Sequence, residues 1–442
     1  MKQNHSGKKG RISYAASFFL VLSLILVIGI PVIFALHYLN RGPADAASET
    51  NPASSSTEEA SGSFSEEEPV GQESSEQTSS GDSSEQESFE ASSGQNSSEE
   101  ELSEEELLRS QALSLLHSMT LKEKVGQMFF IRCPSENAAE LAAEWQPGGY
   151  VLFASDFENK TPDEAAADIQ SCQDSVRIPM LIGVDEEGGT VTRISRFSQY
   201  RDEPFLSPRD LYAEGGWDLI RSDTIEKCAL LRGLGINVNL APVCDVSTGS
   251  DDFIYERAFS NDAQEAAEYV SLVVSVMNDE GMGCTLKHFP GYGNNVDTHT
   301  GIAVDRRSLE SFYENDFLPF IAGIEAGAGS ILVSHNIMTC VDDSMPASLS
   351  PAVHELLRED LDFDGVIMTD DLIMDAITQY TDGSSAAVLA VLAGNDLLIC
   401  SDPTVQLPAV IEAVKEGTLS LEQVEESVLR ILMWKLELNI IS

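Results

Sequence analysis

The stretch PMLIGVDEEGG, residues 179–189, joins a short apolar run to three carboxylates and two glycines. A continuous apolar run of this length, bounded by turn residues, is typical of a strand buried on both faces of a parallel sheet. Seven other runs along the chain share this character. They are QMFFIRC (127–133), GGYVLFAS (148–155), VNLAPVCDV (238–246), GCTLKHF (283–289), SILVSHNI (330–337), GVIMTDDL (365–372) and DLLICS (396–401).

The segments between these runs have helical spacing of apolar residues, as in AAELAAEWQ (138–146) and AQEAAEYVSLVVSVMNDEG (263–281). SPAVHELLREDL (350–361) shows the same pattern. Eight strands that alternate with helices over roughly 330 residues predict a (β/α)8 barrel of the TIM type. We expect one catalytic barrel over residues 107–442, with a doubly wound open sheet as the alternative.

Charge is distributed unevenly along the chain. Residues 1–41 hold five basic residues and no acidic one, and residues 42–108 hold 19 acidic residues without a single Lys or Arg. Residues 109–442 hold 54 acidic and 21 basic residues, a net charge of −33. Such a field repels polyanions, so a nucleic-acid partner is disfavoured.

The amino terminus combines basic residues with a long apolar segment. Residues 1–14 are predicted to be a basic cytoplasmic segment, and residues 15–39 a transmembrane signal-anchor, because their apolar run of roughly 22 residues can cross a bilayer. The basic residues ahead of the run place the rest of the chain outside the cell membrane. The small residues ADAA at 44–47 keep secretion after signal cleavage as the alternative.

Residues 40–106 are rich in Ser and Glu and almost free of aromatic and β-branched aliphatic residues. Such a segment cannot bury enough apolar surface to offset its ordering entropy, so we expect a disordered linker. Its like charges repel one another and favour an extended tether.

The seven cysteines occur singly, mostly inside apolar runs, and form no CxxC pair. An odd number of isolated cysteines does not indicate a disulfide framework. The pattern therefore favours buried thiols that act as small apolar side chains.

Several apolar runs end in polar residues that do not suit a strand core. In a barrel these ends converge on one rim, where active sites are built. The polar ends are Asp185-Glu186-Glu187, Asp245, Lys287-His288, Ser334-His335-Asn336 and Thr369-Asp370-Asp371.

A metal site is one interpretation of these residues, since His288, Asp297, His299 and Asp370 are all capable of binding zinc. No HxH pair lies within a strand, however, and the charge of the adjacent Lys287 opposes a cation. The segment GYGNN also lacks the spacing of a phosphate-binding loop. We therefore expect no metal and no cofactor.

A sugar site suits the same residues better, because glycoside cleavage needs a carboxylate and a proton donor on opposite sides of the scissile bond. Asp370 ends a hydrophobic strand and is positioned as the carboxylate. His299 is the candidate donor, because imidazole titrates near neutral pH. Asp297, two residues earlier, is placed to orient that ring and stabilise its charged form.

From about residue 113 onward the chain resembles glycoside hydrolase family 3, in its branch of single-domain β-N-acetylglucosaminidases. LLREDLDFDGVIMTDDLI (356–373) is similar to the family's nucleophile signature, which implies Asp370 and not Asp371 as the nucleophile. The tripeptide DTH resembles the dyad typical of that branch, which implies His299 as acid/base with Asp297 as its partner.

Three further motifs resemble family motifs whose side chains hold sugar hydroxyls. The sugar-binding residues they imply are Asp185 and Arg193 in VDEEGGTVTR (184–193), Arg257 in ERAFS, and Lys287 and His288 in KHFPG.

The chain departs from the family pattern after KHFPG. The commoner sequence there is HG followed by four residues before the dyad, whereas this chain has Tyr292-Gly293 followed by only three. The loop that carries the dyad is thus one residue shorter. The chain also ends at residue 442 without room for the second, sandwich-type domain of many members, which argues against a two-domain β-glucosidase.

The resemblance implies a retaining glycosidase that releases terminal β-linked N-acetylglucosamine through a covalent glycosyl–Asp intermediate. Peptidoglycan or its fragments are the expected substrate outside the membrane, and we expect a monomer. Alternatives are a β-N-acetylglucosaminide phosphorylase, because a neutral His does not repel phosphate, a β-glucosidase of the same family, and a barrel that binds wall glycan without catalysis.

Overall fold

A computed structural model describes residues 103–442 except 248, 296–302, 375–376, 378–379 and 382–385. The signal-anchor at 15–39 and the linker up to residue 102 lie outside the described residues and remain predictions. Within residues 103–442, apart from those gaps, no helix is both long and apolar enough to cross a membrane.

Eight parallel strands form the main sheet, and two further short strands pair with each other beside it. In chain order the strands are β1 Phe129–Arg132, β2 Gly149–Leu152, β3 Leu181–Val184, β4 Val238–Asn239, β5 Gly283–Phe289, β6 Val304–Asp305, β7 Ser330–Val333, β8 Ile337–Met338, β9 Val366–Thr369 and β10 Leu398–Cys400.

The eight strands of the main sheet follow the order β10-β1-β2-β3-β4-β5-β7-β9. A parallel bridge between Met368 and Leu397 joins the last strand to the segment that enters the first, and the Thr369 N–H donates to the Leu397 carbonyl at 3.1 Å. The sheet therefore closes on itself. The predicted (β/α)8 barrel is confirmed, and the open-sheet alternative is wrong.

The helices lie between the strands, and several begin at a Ser or Thr followed three residues later by Glu, a pairing that satisfies the free N–H groups of a first turn. Thr161 and Glu164 form one such capping box. The helices are Glu104–His117, Leu121–Gln127, Ala138–Trp145, Pro162–Asp174, Pro208–Gly233, Ala263–Asp279, Leu309–Ser311, Phe317–Glu325, Pro351–Glu355, Ala386–Ala393, Pro403–Lys415 and Leu421–Glu437, with π-helical turns at Phe312–Asp316 and Leu356–Asp360.

The fourth strand is shorter than the apolar run 238–246 predicts. Regular pairing of β4 with β5 stops at Asn239, and Pro242 follows, a residue with no N–H to donate to a ladder. The chain nevertheless stays beside β5, because the Cys244 N–H donates to the Lys287 carbonyl at 2.6 Å. Asp245 is thereby carried to the same rim as the end of β5.

One cluster of buried apolar side chains, which includes Phe130, Val151, Leu181 and Met368, fills the barrel interior. Successive side chains in a strand point to opposite faces, so residues two positions further along share the inward direction. The inward row at the carboxyl ends of the strands therefore holds the following residues: Arg132, Phe153, Asp185, Lys287 and Asp370.

Helix Leu421–Glu437 closes the opposite end of the barrel. Trp434 belongs to the interior cluster and packs so closely under β7 that a Cβ on Gly329 would lie 2.1 Å from its indole nitrogen. The next residue, Lys435, is fully buried, and its Nζ donates to Oε1 of Gln127 at 2.7 Å.

All seven cysteines lie among the described residues as free thiols, and five of them are buried. Burial raises the pKa of Cys228 to about 12, which keeps this thiol protonated at neutral pH. The prediction of unpaired, mostly buried thiols is confirmed.

Candidate active site

Lys287, near the end of β5, is the central cation of the rim. Its Nζ lies 2.6 Å from Oδ1 of Asp185 and 2.6 Å from Oε1 of Glu187, and only 2% of its side chain is exposed. Both carboxylates follow β3, so the neighbouring ends of the closed sheet bring them to the lysine. Two anions around one buried cation fix the position of all three groups.

Glu187 is held from its other side by Arg257, which donates from Nε at 3.0 Å and from Nη2 at 2.8 Å. Burial alone raises the pKa of a carboxyl, but the Arg257 and Lys287 cations outweigh it and hold the pKa of Glu187 well below its usual range. Burial lowers the pKa of Arg257, yet the Glu187 anion outweighs this and raises it. The pair is therefore charged at every physiological pH.

His288 is oriented by Asp245, which is itself buried. The ring Nδ1 lies 2.7 Å from Asp245 Oδ2, and the ring Nε2 lies 3.0 Å from Nη2 of Arg257. A guanidinium can only donate, so Nε2 must accept, and the proton of the neutral ring sits on Nδ1 and points at Asp245. The other Asp245 oxygen accepts the Tyr292 N–H at 2.7 Å, which ties the turn after β5 to the same carboxylate.

Glu186 shapes the loop that carries the next predicted sugar ligand. Its fully buried carboxylate accepts the N–H groups of Arg193 and Ile194, both at 2.8 Å, and the Ser195 hydroxyl at 2.5 Å. Gly188 allows the tight turn before this loop, since its φ is 107° and a Cβ there would lie 2.1 Å from a backbone oxygen. Glu186 is thus a positioning residue.

Arg193 reaches back from this loop towards β3. Its nearest guanidinium nitrogen lies 3.6 Å from Asp185 Oδ2, and its guanidinium carbon lies 5.8 Å from the centre of the Phe153 ring. Among the described residues, its buried Nε has no hydrogen-bond partner. A group of this kind is ready to donate to a ligand.

Asp370 and Asp371 are adjacent but have different surroundings. The Asp370 N–H donates to the Val333 carbonyl at 3.1 Å, which extends the sheet pairing and keeps Asp370 on the inward row. The Asp371 carboxylate instead accepts the hydroxyl of Ser401 and, at 3.2 Å, its N–H. Burial raises the pKa of Asp371. Asp371 therefore joins the ends of β9 and β10, whereas Oδ1 of Asp370 accepts the Asp371 N–H at 2.8 Å.

His335 lies two residues after β7, in the run SILVSHNI, and its side chain is held by contacts within the fold. Its Nδ1 lies 2.7 Å from the Ser348 hydroxyl, its Nε2 lies 3.1 Å from the Asp371 carbonyl, and the whole residue is buried. These contacts hold the segment on which Asp370 and Asp371 lie. Not every polar strand end is thus a ligand.

The predicted dyad, Asp297 and His299, lies outside the described residues, but the segments on either side of it are described. The Arg307 guanidinium donates to Asp305 at 2.7 Å and to Asp316 at 2.7 Å. Asn295 donates to the same Asp305 carboxylate at 2.6 Å. Hydrogen bonds to Asp305 thus hold the described residues on either side of the dyad, Asn295 before it and Arg307 after it.

Arg132 and Phe153 belong to the rim but were not predicted from the sequence. Arg132 is the last residue of β1, and its guanidinium carbon lies 4.2 Å from the centre of the Phe153 ring. Strand alternation is the signal that would have identified Arg132. Side chains two positions apart in a strand share a face, and Arg132 follows the interior residue Phe130 by two positions.

The predicted residues therefore come together only in part. Hydrogen bonds and ion pairs connect four of the predicted sugar ligands through Glu187, with Arg193 at the edge of the network and Asp370 on the same inward row. These four are Asp185, Arg257, Lys287 and His288.

Comparison with known proteins gives the chain a family context. A model of the glycosyl hydrolase family 3 N-terminal domain matches residues 120–434. A β-hexosaminidase of Methylococcus capsulatus is 32% identical over 275 residues, which cover 62% of this chain and 81% of that protein. A β-hexosaminidase of Xanthomonas campestris is 34% identical over 278 residues, which cover 62% of this chain and 82% of the relative.

Among solved structures, a glycoside hydrolase family 3 β-N-acetylglucosaminidase from Paenibacillus superposes with a TM-score of 0.68 at 30% sequence identity. The match covers 73% of this chain and 63% of the Paenibacillus protein. The chain thus spans less than two thirds of that structure but most of the two bacterial relatives.

Proposed function

The chain belongs to glycosyl hydrolase family 3, and we propose that it is a retaining β-N-acetylhexosaminidase that releases terminal β-linked N-acetylglucosamine from glycans. The β-hexosaminidase relatives and the β-N-acetylglucosaminidase structure support this activity. The observation that carries the proposal is the buried network around Lys287, which fixes charged groups on the rim of the barrel where the strand that precedes Asp370 also ends.

The network suits a sugar because its members are already held in place before a ligand arrives. Asp185 is the most exposed of the anions paired to Lys287, with 18% of its side chain accessible, so its oxygens can accept hydroxyl protons. Lys287 and Arg193 supply donors beside it. Preorganised donors and acceptors avoid the cost of ordering side chains on binding.

We assign the nucleophile to Asp370. One of its carboxylate oxygens attacks the anomeric carbon and forms the glycosyl–Asp bond, while the bond to the leaving oxygen breaks. His299, oriented by Asp297, gives its proton to that oxygen. Water then attacks the same carbon and gives a proton back to His299, while the glycosyl–Asp bond breaks and releases the Asp370 carboxylate. The sugar therefore leaves with retained configuration, and both residues return to their starting states.

The assignment of the nucleophile is tested with Asp370→Asn on an aryl β-N-acetylglucosaminide. We expect kcat to fall by at least about 10³-fold, because an amide cannot form the intermediate. A 5-fluoro glycosyl fluoride should leave a covalent adduct on the wild type, visible by intact mass, and none on the variant. Near-wild-type activity of Asp370→Asn would show that another residue is the nucleophile.

Asp371→Asn is the matched control, since it removes the same charge one residue away. Its carboxylate holds Ser401, so we expect a loss of stability and a much smaller loss of kcat than at position 370. Equal losses of kcat at the two positions would contradict the distinction between them.

The same assay separates the alternatives. A phosphorylase would form glycosyl phosphate in millimolar phosphate, a metal-dependent hydrolase would lose activity in EDTA, and a β-glucosidase would turn over aryl glucosides preferentially. A barrel that only binds glycan would turn over none of these substrates. We expect hydrolysis of the N-acetylglucosaminide that neither phosphate nor EDTA changes.

We further propose that residues 15–39 anchor the protein in the cell membrane and that a monomeric barrel acts on peptidoglycan or its fragments outside it. The basic residues of positions 1–14, ahead of the apolar run, support this orientation. Fractionation of cells that express the full chain, or a version without residues 1–41, should find the first with membranes and the second free of them. Added protease should degrade the anchored barrel on spheroplasts.

A further inference from the structure

Lys227 is a buried lysine on helix Pro208–Gly233, and the proposed hydrolysis gives it no part. Its Nζ lies 3.1 Å from Oδ2 of Asp223, one turn earlier on the same helix, and at most 10% of either side chain is exposed. A buried ion pair of this kind adds little net stability, because both charges must leave water. The other contacts of the ammonium group indicate a role besides stability.

The ammonium group of Lys227 also holds the main chain of Glu187. It donates to the Glu187 carbonyl at 3.0 Å, and this hydrogen bond is buried. Glu187 is the residue whose carboxylate lies 2.6 Å from Lys287 and 2.8 Å from Arg257. One lysine thus binds the carboxylate of Glu187 and another binds its carbonyl, so both the side chain and the main chain of this residue are fixed.

The turn that Lys227 holds has little rigidity of its own. Gly188 and Gly189 follow Glu187 with φ of 107° and 60°, and glycine restricts the backbone less than any other residue. Contacts from outside the turn must therefore fix it. The Phe205 carbonyl accepts the Gly189 N–H at 2.9 Å, and the centre of the Phe205 ring lies 4.9 Å from the Lys227 ammonium. Lys227 therefore contacts both of the segments that meet at this turn.

A small cavity lies beside this contact, lined by Glu187, Asp223, Lys227 and Tyr269 among others. Its volume of about 20 Å³ is room for one water molecule. A side chain shorter than lysine at position 227 would enlarge this space, and water would then replace the ammonium group as donor to the Glu187 carbonyl. A substitution that tests the contact must therefore keep the volume and remove the donor, which methionine does.

We propose that Lys227 is a positioning residue for the proposed hydrolysis. By fixing the main chain of Glu187, it fixes the carboxylate on which Lys287 and Arg257 are oriented. This inference rests on the proposed glycosidase activity and adds to it a residue on a helix behind the rim. Because Lys227 acts on the groups that hold the sugar and not on the nucleophile, its loss should weaken substrate binding more than turnover.

Lys227→Met tests the proposal, with steady-state kinetics on an aryl β-N-acetylglucosaminide. We expect KM to rise by about tenfold, the size of one lost hydrogen bond from a charged donor, while kcat stays within about twofold of the wild-type value. The inhibition constant of N-acetylglucosamine, a ligand that is not turned over, should rise with KM. A merely structural role would lower the fraction of folded enzyme, which lowers the apparent kcat without changing KM.

Lys124→Met is the matched control. Lys124 is as buried as Lys227, with 8% of each residue exposed, and it forms an ion pair with Glu425 at 2.5 Å. Its helix, Leu121–Gln127, directly precedes β1 and so lies at the amino ends of the strands, away from the rim. Lys124→Met should lose stability but keep the wild-type KM. An equal rise of KM in both variants would show a general loosening of the barrel and overturn the proposal.

Lys227→Gln is the second variant, because its amide still donates to Asp223 if methionine at this position prevents folding. Glutamine reaches one bond less far than lysine, so the contact with the Glu187 carbonyl is lost and KM should again rise. A wild-type KM in either folded variant would overturn the proposal.

Turnover by the wild type separates this inference from the one on which it rests. If the wild type hydrolyses the N-acetylglucosaminide and the variants at position 227 keep its KM, the glycosidase proposal stands and only the role of Lys227 is wrong. If the wild type does not hydrolyse the substrate, the proposed glycosidase activity itself is contradicted.

Discussion

The two ends of the barrel each bury a lysine, and they do so in opposite ways. At the carboxyl ends of the strands, Lys287 is 2% exposed and lies 2.6 Å from each of two carboxylates. At the amino ends, Lys435 is fully buried against a neutral amide, Gln127, and burial lowers its pKa to about 7. The charge of Lys287 is thus compensated by two carboxylates, whereas the amine of Lys435 faces a neutral amide.

The difference separates a site built for chemistry from one built for packing. A buried ion pair contributes little net stability, but it fixes charged groups in space, which is what a sugar-binding network requires. Lys435 instead adds length to an apolar helix face at the cost of burying an amine without a counter-charge. The same substitution at the two positions should therefore have opposite effects.

Lys287→Met has the largest expected effect. It removes a donor from the sugar network and leaves the partly exposed Asp185 and the buried Glu187 as anions that only Arg193 and Arg257 can compensate. We expect kcat/KM on an aryl β-N-acetylglucosaminide to fall by about 10³-fold and the free energy of unfolding to fall by about 3 kcal/mol. Steady-state kinetics and thermal unfolding measure the two quantities.

Lys435→Met is the matched comparison for this experiment, since it makes the same change of side chain and charge at the other end of the barrel. If both variants lost stability equally, the contrast between a compensated and an uncompensated lysine would be wrong. If Lys287→Met kept its activity, the network would not be the sugar site.

The sequence predicted the barrel because eight apolar runs carry the signal of a doubly buried strand locally, in PMLIGVDEEGG as in DLLICS. The environment of each lysine was not predictable in this way. Lys287 and Asp185 are more than a hundred positions apart, and the closed sheet brings them together. Burial of Lys435 depends on a helix that covers the opposite end of the barrel.

The residues of the site, like the elements of the barrel, were predicted where a local motif marks them and missed where only the fold brings them together. The resemblance to family motifs supplied Asp185, Arg257, Lys287 and His288, which the structure connects, but it gave no role to Glu187, the residue that joins Lys287 to Arg257. The roles of Asp370, Asp297 and His299 remain predictions. Arg132 was missed because a single arginine at the end of an apolar run carries no motif.

Asp245→Asn sharpens the comparison at the catalytic end with a smaller expected effect. One Asp245 oxygen accepts from His288 Nδ1 and the other from the Tyr292 N–H, so an amide must turn its NH2 towards one of these donors. The ring cannot escape by moving its proton to Nε2, because Nε2 faces the Arg257 guanidinium. We expect kcat/KM to fall by about 10- to 100-fold, the worth of a hydrogen bond to a charged group.

The tautomer of His288 provides a second readout for this variant. In the wild type the ¹⁵N shifts should report a proton on Nδ1, and in Asp245→Asn a mixture of tautomers or a displaced ring. Unchanged kinetics together with unchanged nitrogen shifts would show that Asp245 does not orient the ring.

The smallest expected effect lies at the amino end, where Lys435→Met should raise stability and leave kcat/KM at the wild-type value. The folded pKa of about 7 lies below the ordinary value of 10.5, so protonation favours the unfolded chain. The penalty is complete below pH 7 and is relieved as pH rises towards 10.5. At pH 6 the variant should therefore have a Tm a few degrees above that of the wild type. The gain is no larger because the substitution also removes the hydrogen bond to Gln127. Its advantage should shrink between pH 7 and 10.5, and a difference in Tm that stays constant over this range would contradict an uncompensated Lys435.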